Sequence, residues 1–276
     1  MTATTIPNTP LDPSTIATGE DAGPTAVQAR LPLLPMLFRS EWAKTKTVRS
    51  TYWSVLLAAV AMGLGTVIAA IQAKSNKPIV DPVGLTLGGV LFAQLAIGVL
   101  AVLVVTSEYS TGMIRSTFVA APQRRWVIAT KAAVVASIAF VAGTIASLGT
   151  FLAGQAILGH HGVSITAPGA LRSVIGVGIY LALVAIFAVG LGTIVRSSVG
   201  SIAILFALLF VLPQILTALP SLHNIAKFLP STAGQAITHT AATTTSLSPW
   251  TGLTVLTFYT AAILAAGLVI VHRRDA

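Results

Sequence analysis

Residues 106–131, which lie between two long apolar runs, combine several charged and aromatic side chains. This stretch contains a carboxylate at Glu108, a flexible point at Gly112, an arginine at Arg115 and a helix breaker at Pro122. Its other notable residues are Tyr109, Ile114, Arg124, Arg125 and Lys131. The chemistry that these residue types offer is ion pairing and charge-assisted hydrogen bonding.

The middle of this stretch has the spacing of a short amphipathic helix. Ile114, Phe118 and Ala121 recur at i, i+4 and i+7, so they share one helical face, and Arg115 lies beside them. We therefore predict a short helix that lies across a membrane surface.

Signatures of catalysis and of metal binding are missing from the chain. There is no cysteine, which excludes disulfides, thiolate metal sites and cysteine nucleophiles. No His-Glu-x-x-His zinc pattern, Gly-x-Ser-x-Gly elbow or phosphate-binding Gly-x-x-x-x-Gly-Lys-Ser/Thr loop occurs. The adjacent His160 and His161 are interpreted as a solvated turn. We expect no catalytic residue, no metal and no cofactor, so any ATP must be bound by a partner subunit.

Composition indicates lipid as the solvent of this protein. Of its 276 residues, 55% are hydrophobic and only 8% are charged, and the mean hydropathy is +0.88. A soluble domain carries roughly 25% charged residues, because its surface must stay wet. The net charge of +9 comes from short basic clusters between apolar runs, so we do not expect nucleic-acid binding.

The predicted fold class is an all-α membrane protein with six transmembrane helices and an N-terminal interfacial helix. A helix of about 20 apolar residues crosses a bilayer. The predicted spans are residues 52–73, 84–106, 132–158, 173–195, 199–219 and 250–271, within a six-span transmembrane domain that covers residues 52–276. Residues 1–30 lack the apolar run of a signal peptide, and we expect them to form a disordered tail.

Basic residues predict the orientation of the chain. Twelve of the 16 Lys and Arg residues lie in one set of loops or at the termini on the same side. Because cytoplasmic loops are enriched in Lys and Arg, we expect both termini in the cytoplasm. The richness in Ala, Val and Gly suggests a bacterial source, so the expected location is a bacterial plasma membrane.

Residues 31–51 mix apolar and basic side chains. The notable residues of this segment are Arg39, Glu41, Trp42 and Lys46. The apolar positions fall on one side of a helix, which indicates an interfacial helix, although Glu41 intrudes on that side. A basic stretch that only sets topology is the alternative.

Polar residues are few within the spans. No Asp or Glu lies between Glu108 and Asp275, which disfavours an ion-driven carrier, since such carriers generally need ionisable groups in the bilayer. Gln94, Gln155 and Gln214 either face a polar path or bond between helices. Pro213 predicts a kink in the fifth span and is a candidate hinge.

The stretch at residues 106–131 resembles the type 2 ABC exporter permease family. The family pattern is similar to Glu-Tyr-x-x-Gly-x-Ile-Arg, then Pro-x-Arg and a Lys that opens the third span. The matching residues are Glu108, Tyr109, Gly112, Ile114, Arg115, Pro122, Arg124, Arg125 and Lys131. Residues 39–53 and 228–234 also resemble family segments.

The resemblance implies an exporter permease without its own motor. A second permease copy or a paralogue completes the path, and a separate ATPase docks on a coupling helix in residues 107–125. On that reading Glu108 and Arg115 contact the ATPase and Gly112 lets the backbone turn and approach closely. The alternatives are an ion-gradient-driven secondary transporter and a non-transporting scaffold or regulatory subunit. The substrate is not encoded in any recognisable motif.

Overall fold

The computed structural model describes residues 33–47, 49–74, 79–112, 124–219, 221–240 and 246–273. Six helical segments within these ranges are long and apolar enough to cross a membrane. They are Arg49–Ala73, Pro82–Ser110, Arg125–His161, Ala170–Val195, Ser198–Ala218 and Pro249–Val271, called spans 1 to 6 below. No β-strand occurs in the described ranges. The predicted all-α fold with six spans is therefore confirmed, while the expected tail at residues 1–30 lies outside the described residues.

The described ranges contain eleven α-helices, eight of which form the spans. They are α1 Leu33–Thr47, α2 Arg49–Ala73, α3 Pro82–Leu87, α4 Val90–Ser110, α5 Arg124–Leu158, α6 Ala170–Val195, α7 Ser198–Phe206, α8 Leu212–Ala218, α9 His223–Ala226, α10 Pro230–Gln235 and α11 Pro249–Arg273. Short 3₁₀ turns cover Gly159–His161 and Ala236–Thr238. Helix α5, which forms span 3, thus begins eight residues earlier than the predicted third span, and this places Lys131 inside a helix rather than before it.

Spans 2 and 4 form the centre of the bundle. In their most apolar windows 61% and 72% of the residues are buried within the protein, against 22–33% in the other four spans. Helix α6 packs against α4, α5 and α11, and α2 packs against α4 and α5. Spans 1, 5 and 6 consequently turn most of their apolar side chains outward, as lipid-facing helices do.

Spans 1 and 2 cross at two glycines that no larger residue can replace. A Cβ atom on Gly65 would lie 2.0 Å from the carbonyl oxygen of Thr86, and one on Gly89 would lie 2.4 Å from that of Met62. Small residues let helix backbones approach closely in lipid, where apolar side chains gain little by leaving the bilayer. Gly63, by contrast, faces open space, so of these two glycines only Gly65 is needed for the close approach.

Polar groups in the middle of the bundle are paired between helices. Gln94 is fully buried in span 2 and accepts a hydrogen bond from the hydroxyl of Tyr180 in span 4. Its amide nitrogen donates to the carbonyl oxygens of Leu91, at 2.9 Å, and Leu209, at 3.2 Å. Gln155 of span 3 similarly donates to the carbonyl of Pro82, at 3.1 Å. Interhelical bonding therefore accounts for both glutamines.

The bond to Leu209 compensates for a proline. Residues Ala207–Val211 form a π-helical turn just before Pro213 in span 5. Pro213 has no N–H to donate to the carbonyl four residues earlier, which belongs to Leu209. The amide of Gln94 supplies that missing donor, so the irregular turn of span 5 is tied to the central span 2. Sequence reasoning predicted an irregularity at this proline but not its partner.

The connection between spans 5 and 6 enters the bundle. Helix α10 packs against α11 and α6, and a Cβ atom on Gly234 would lie 2.6 Å from both Tyr180 and Leu256. The amide of Gln235 donates to the Tyr180 hydroxyl at 3.4 Å. Tyr180 lies ten residues into span 4, which corresponds to a depth of about 15 Å. The segment between spans 5 and 6 is thus partly re-entrant, although Ile225 is exposed.

Gln94→Leu should destabilise the bundle by about 1–3 kcal/mol, because it leaves buried groups at Leu209 and Tyr180 without their partner. Thermal unfolding of the purified protein in detergent measures the loss. Gln214→Leu is the matched control, since Gln214 is also a glutamine within a span, here span 5, but its side chain is exposed. Equal midpoints for the two variants would contradict the role assigned to Gln94.

Candidate functional site

Four charged side chains meet at the end of the bundle where α1 lies, called the α1 end below. Lys131 of α5 donates to Glu41 Oε2 of α1 at 2.6 Å and to Glu108 Oε1 of α4 at 2.8 Å. Lys44 of α1 donates to Glu41 Oε1 at 2.8 Å and lies 3.8 Å from Glu108 Oε1. These four residues, here called the charge cluster, join three helices at one point.

The charge cluster is largely withdrawn from solvent. Side-chain exposure is 2% for Lys131, 5% for Glu41 and 10% for Glu108, whereas Lys44 is 47% exposed. Burying an isolated charge costs several kcal/mol, and partners of opposite sign offset that cost only when their geometry is good. Two carboxylates and two ammonium groups cancel formally, which allows Lys131 to remain charged inside an apolar helix.

The register of α1 explains how Glu41 reaches this position. Glu41 and Thr45 are one turn apart and both are only 4% exposed, so this polar stripe faces the bundle. Phe38 and Trp42 stack with ring centroids 6.0 Å apart, and Arg39 is exposed. Sequence reasoning treated Glu41 as an intrusion on the apolar side of the helix. The structure makes it the residue that attaches α1 to the bundle.

Ion pairing also changes the acidity of Glu41. Burial raises the pKa of its carboxyl, but the charges and hydrogen bonds of Lys131 and Lys44 outweigh burial and hold the pKa below its ordinary value. The folded protein therefore favours the ionised carboxylate, which is the form that the charge cluster requires.

A second contact fixes the same end of α4. The guanidinium carbon of Arg196 lies 5.3 Å from the ring centroid of Tyr109, a cation–π distance. Arg196 follows α6 and has a φ of 57°, which is uncommon for a residue with a side chain. Nearby, the Ser198 hydroxyl donates to Thr106 Oγ1 at 2.8 Å. The turn between spans 4 and 5 therefore holds the end of span 2.

The predicted coupling loop begins directly after this fixed helix end. Gly112 has a φ of 71°, a left-handed conformation that favours glycine, and a Cβ atom there would meet nothing within 4 Å. The turn at Gly112 therefore has the backbone conformation that glycine adopts most readily. Ile114, Arg115 and Pro122 lie outside the described residues, as do the side chains of Arg124 and Lys46. Arg125, at the start of α5, is exposed.

The structure therefore divides the residues predicted for the coupling loop. Glu108 is turned inward and has Lys131 as its partner, while Tyr109 has Arg196. The sequence placed Lys131 in the family motif without assigning it a partner, and it did not single out Arg196 as a site residue. The available signal for Lys131 was a charged residue next to an apolar run of spanning length, which in membranes is a functional-site hypothesis by default.

A separate polar cluster lies at the opposite end of the bundle. Asp81 caps α3 through the Gly84 N–H at 2.9 Å, accepts from Thr240 Oγ1 at 2.6 Å and lies 3.1 Å from His239 Nδ1. Burial opposes ionisation of Asp81, but the hydrogen bonds from His239, Thr240 and Gly84 hold its pKa well below the ordinary value. The cluster attaches the 230–240 segment to the start of span 2. Within the described ranges no group of three or more His, Asp or Glu side chains is arranged to hold a metal ion.

Lys131→Met should cost about 3–5 kcal/mol of stability, because it leaves Glu41 and Glu108 buried together without a cation. Replacing both carboxylates as well, in a triple variant with Glu41→Gln and Glu108→Gln, should restore most of the loss. Thermal unfolding in detergent measures both effects. Lys74→Met, at an exposed position, is the control. A Lys131→Met protein as stable as the wild type would show that the charge cluster is not structurally required.

Acid should weaken the charge cluster in a defined pH range. A carboxyl whose pKa is lower in the folded protein stabilises it above the unfolded pKa, and this stabilisation is lost as the pH falls through the folded value. For Glu41 the loss should therefore begin below its ordinary pKa of 4.5. Between pH 7 and pH 3 the melting midpoint of the Glu41→Gln variant should fall less steeply than that of the wild-type protein. At pH 7 the midpoint of the variant should already be lower than that of the wild type. Parallel curves for the two proteins would be the contrary result.

Comparison with protein families identifies the class of this membrane protein. The sequence pattern of a family described as "ABC-2 family transporter protein" matches residues 37–214. That range includes the whole charge cluster, the turn at Arg196 and spans 1 to 4. A comparison with curated protein sequences finds no significant match. Because the family pattern covers more than half of the chain and the six spans agree with it, this multi-pass membrane protein belongs to the ABC-2 transporter family and is a permease component of an ABC transporter.

Proposed function

We propose that the chain is the permease subunit of an ATP-driven exporter whose motor is a separate ATPase. On this proposal the α1 end faces the cytoplasm of a bacterial cell, both termini lie on that side, and the ATPase docks on the loop between α4 and α5. A second permease copy or a paralogue completes the transport path. Family membership supports the partnership, and the excess of basic residues at the α1 end supports the orientation.

The observation that carries the proposal is the ion pair between Glu108 and Lys131. These residues lie at the two ends of the loop, one before it in α4 and one after it in α5, and their side-chain atoms are 2.8 Å apart. The pair closes the base of the loop. A force on the loop then moves spans 2 and 3 together instead of separating them.

The other contacts extend this connection to neighbouring helices. Glu41 couples α1 to Lys131, and Arg196 couples the turn between spans 4 and 5 to Tyr109. Closure of an ATPase dimer would therefore be transmitted to a group of helices as a rigid-body movement. In this mechanism Glu108 positions the loop from within the protein. The contacts to the ATPase fall to exposed residues such as Arg125 and to the loop itself.

Span 5 offers the flexible element that such a movement needs. Its π-helical turn lacks the regular hydrogen-bond ladder, and its Pro213 is a candidate hinge, as predicted from the sequence. One bond, from Gln94 to Leu209, ties the turn to the central span. We propose that this bond limits bending of span 5 while the transport path is closed.

Reversal of the exposed charge at Arg125 should weaken ATPase binding about tenfold, because the reversed charge would repel the group that Arg125 contacts on the ATPase. The stability of the protein should not change, because Arg125 is exposed. The measurement is crosslinking in native membranes, followed by mass spectrometry for a captured protein with a Gly-x-x-x-x-Gly-Lys-Ser/Thr motif. Lys74→Glu, an exposed charge reversal at the opposite end, should bind normally.

Failure to capture any ATPase with the wild-type chain would count against the exporter. Transport that survives ATP depletion but stops when the ion gradient is collapsed would instead indicate a secondary transporter. Loss of partner recruitment without any transport defect would indicate a scaffold or regulatory subunit.

A further inference from the structure

Four large apolar side chains form one row at the end of the bundle opposite the α1 end. They follow span 5 at intervals of three residues and are Leu219, Leu222, Ile225 and Phe228. Backbone hydrogen bonds of 2.9–3.0 Å link each member to the one three residues before it. Side chains three residues apart stack over one another in turns with such bonds, so these four lie on one side of the chain. They are called the apolar row below.

The apolar row faces outward. Leu219, Ile225 and Phe228 are 44%, 57% and 47% exposed, whereas the neighbouring Ala226 and Pro230 are buried. Helix α9, which carries Ile225, packs against α8 of span 5, so the row lies beside the lipid-facing surface of that span. Exposed apolar patches of this kind mark interaction surfaces.

The backbone of this segment suits contact with a membrane. Besides the bonds within the row, the N–H of Ala226 donates to the Leu222 carbonyl at 3.1 Å, and that of Leu229 donates to the Ala226 carbonyl at 3.2 Å. Five backbone N–H groups of the segment are thereby paired within it. Unpaired backbone groups are costly in contact with hydrocarbon, so this pairing lets the row enter the membrane.

A cation beside the apolar row lacks a carboxylate partner among the described residues. The ammonium of Lys227 lies 5.5 Å from the ring centroid of Phe228. The only described carboxylate at this end of the bundle is that of Asp81, which binds His239 and Thr240. A lipid phosphate can supply the anion, since a lysine extends its apolar stem along a hydrophobic surface and holds its ammonium at the head groups.

The two other possible neighbours of the row match it less well. In water, four large apolar side chains would stay hydrated, which the hydrophobic effect opposes. A second copy of the chain would offer an equally apolar row with its own Lys227. A contact between two equivalent rows would therefore bring two like charges together without an anion between them.

From these features we infer that the apolar row inserts into the head-group region of a lipid bilayer, with the Lys227 ammonium at the lipid phosphates. Phe228 lies two residues before Pro230, where the chain turns into the bundle. The bilayer thereby fixes one end of the re-entrant 230–240 segment, and Asp81 fixes the other end through Thr240. This inference does not depend on an ATPase partner or on the direction of transport.

The test uses the absence of cysteine from the chain, which lets one introduced cysteine carry a spin label without background. Full-length protein labelled at Ile225→Cys or Phe228→Cys is reconstituted in phosphatidylcholine vesicles. Power saturation then measures collisions of the label with oxygen, which concentrates in lipid, and with a nickel chelate, which stays in water. Leu152→Cys on the exposed side of span 3 is the lipid reference, and Ser164→Cys in an exposed loop is the water reference.

The oxygen-to-nickel collision ratio at both positions of the row should exceed that at the water reference about fivefold, because the apolar layer excludes the polar chelate. A ratio equal to that of the water reference would place the row in water. Low collision rates with both reagents would show that a protein, such as a second permease copy, covers the row. Either result would overturn the inference.

A charge reversal tests the contact with phosphate. Lys227→Glu should lower the collision ratio of the label at Ile225→Cys about threefold, because a carboxylate is repelled by lipid phosphates, whereas Lys227→Arg should keep the ratio. Lys74→Glu, an exposed reversal at the same end of the bundle, is the matched control and should also keep it. Thermal unfolding in detergent checks that each variant is folded. An unchanged ratio in a folded Lys227→Glu protein would overturn the role assigned to Lys227.

Discussion

Lys131 carries a charge inside a helix that otherwise belongs to the apolar bundle, and the arrangement of the whole α1 end depends on how that charge is neutralised. It is 2% exposed and binds one carboxylate from α1 and one from α4. Since a buried ammonium without partners costs several kcal/mol, the three helices are held in the one arrangement that brings both carboxylates to it. The position of α1 and the contact between the ends of α4 and α5 both depend on it.

Polar contacts have this influence because packing in lipid is otherwise poorly selective. Apolar side chains are equally well solvated by acyl chains and by neighbouring helices, so close approach and hydrogen bonding decide which helices associate. Glycines 65 and 89 permit the crossing of spans 1 and 2. Gln94 joins span 2 to spans 4 and 5, and Gln155 joins span 3 to the start of span 2. The few polar residues of the chain thus specify a bundle that hydrophobicity alone would leave undetermined.

Regular and irregular parts of the bundle are placed differently. Spans 2 and 4 are buried and cross-linked, whereas span 5 contains a π-helical turn and exposes much of its surface. The irregular backbone at Leu209 is tolerated within the membrane because Gln94 satisfies the free carbonyl. The bundle thus combines a buried, hydrogen-bonded centre with an irregular helix whose free carbonyl has a partner.

The sequence by itself determined the six spans, because span length and the absence of charge are local properties that lipid imposes on any helix. It also indicated the family, because Glu108, Gly112 and Lys131 belong to one recognisable motif. Only the tertiary structure decided what those residues do. Glu108 was expected to face a partner protein and Glu41 to disturb an apolar face, yet both turn inward to Lys131, 23 and 90 residues away along the chain. Helical periodicity assigns a residue to a face but not to a neighbour, since pairing between distant segments depends on how the helices pack.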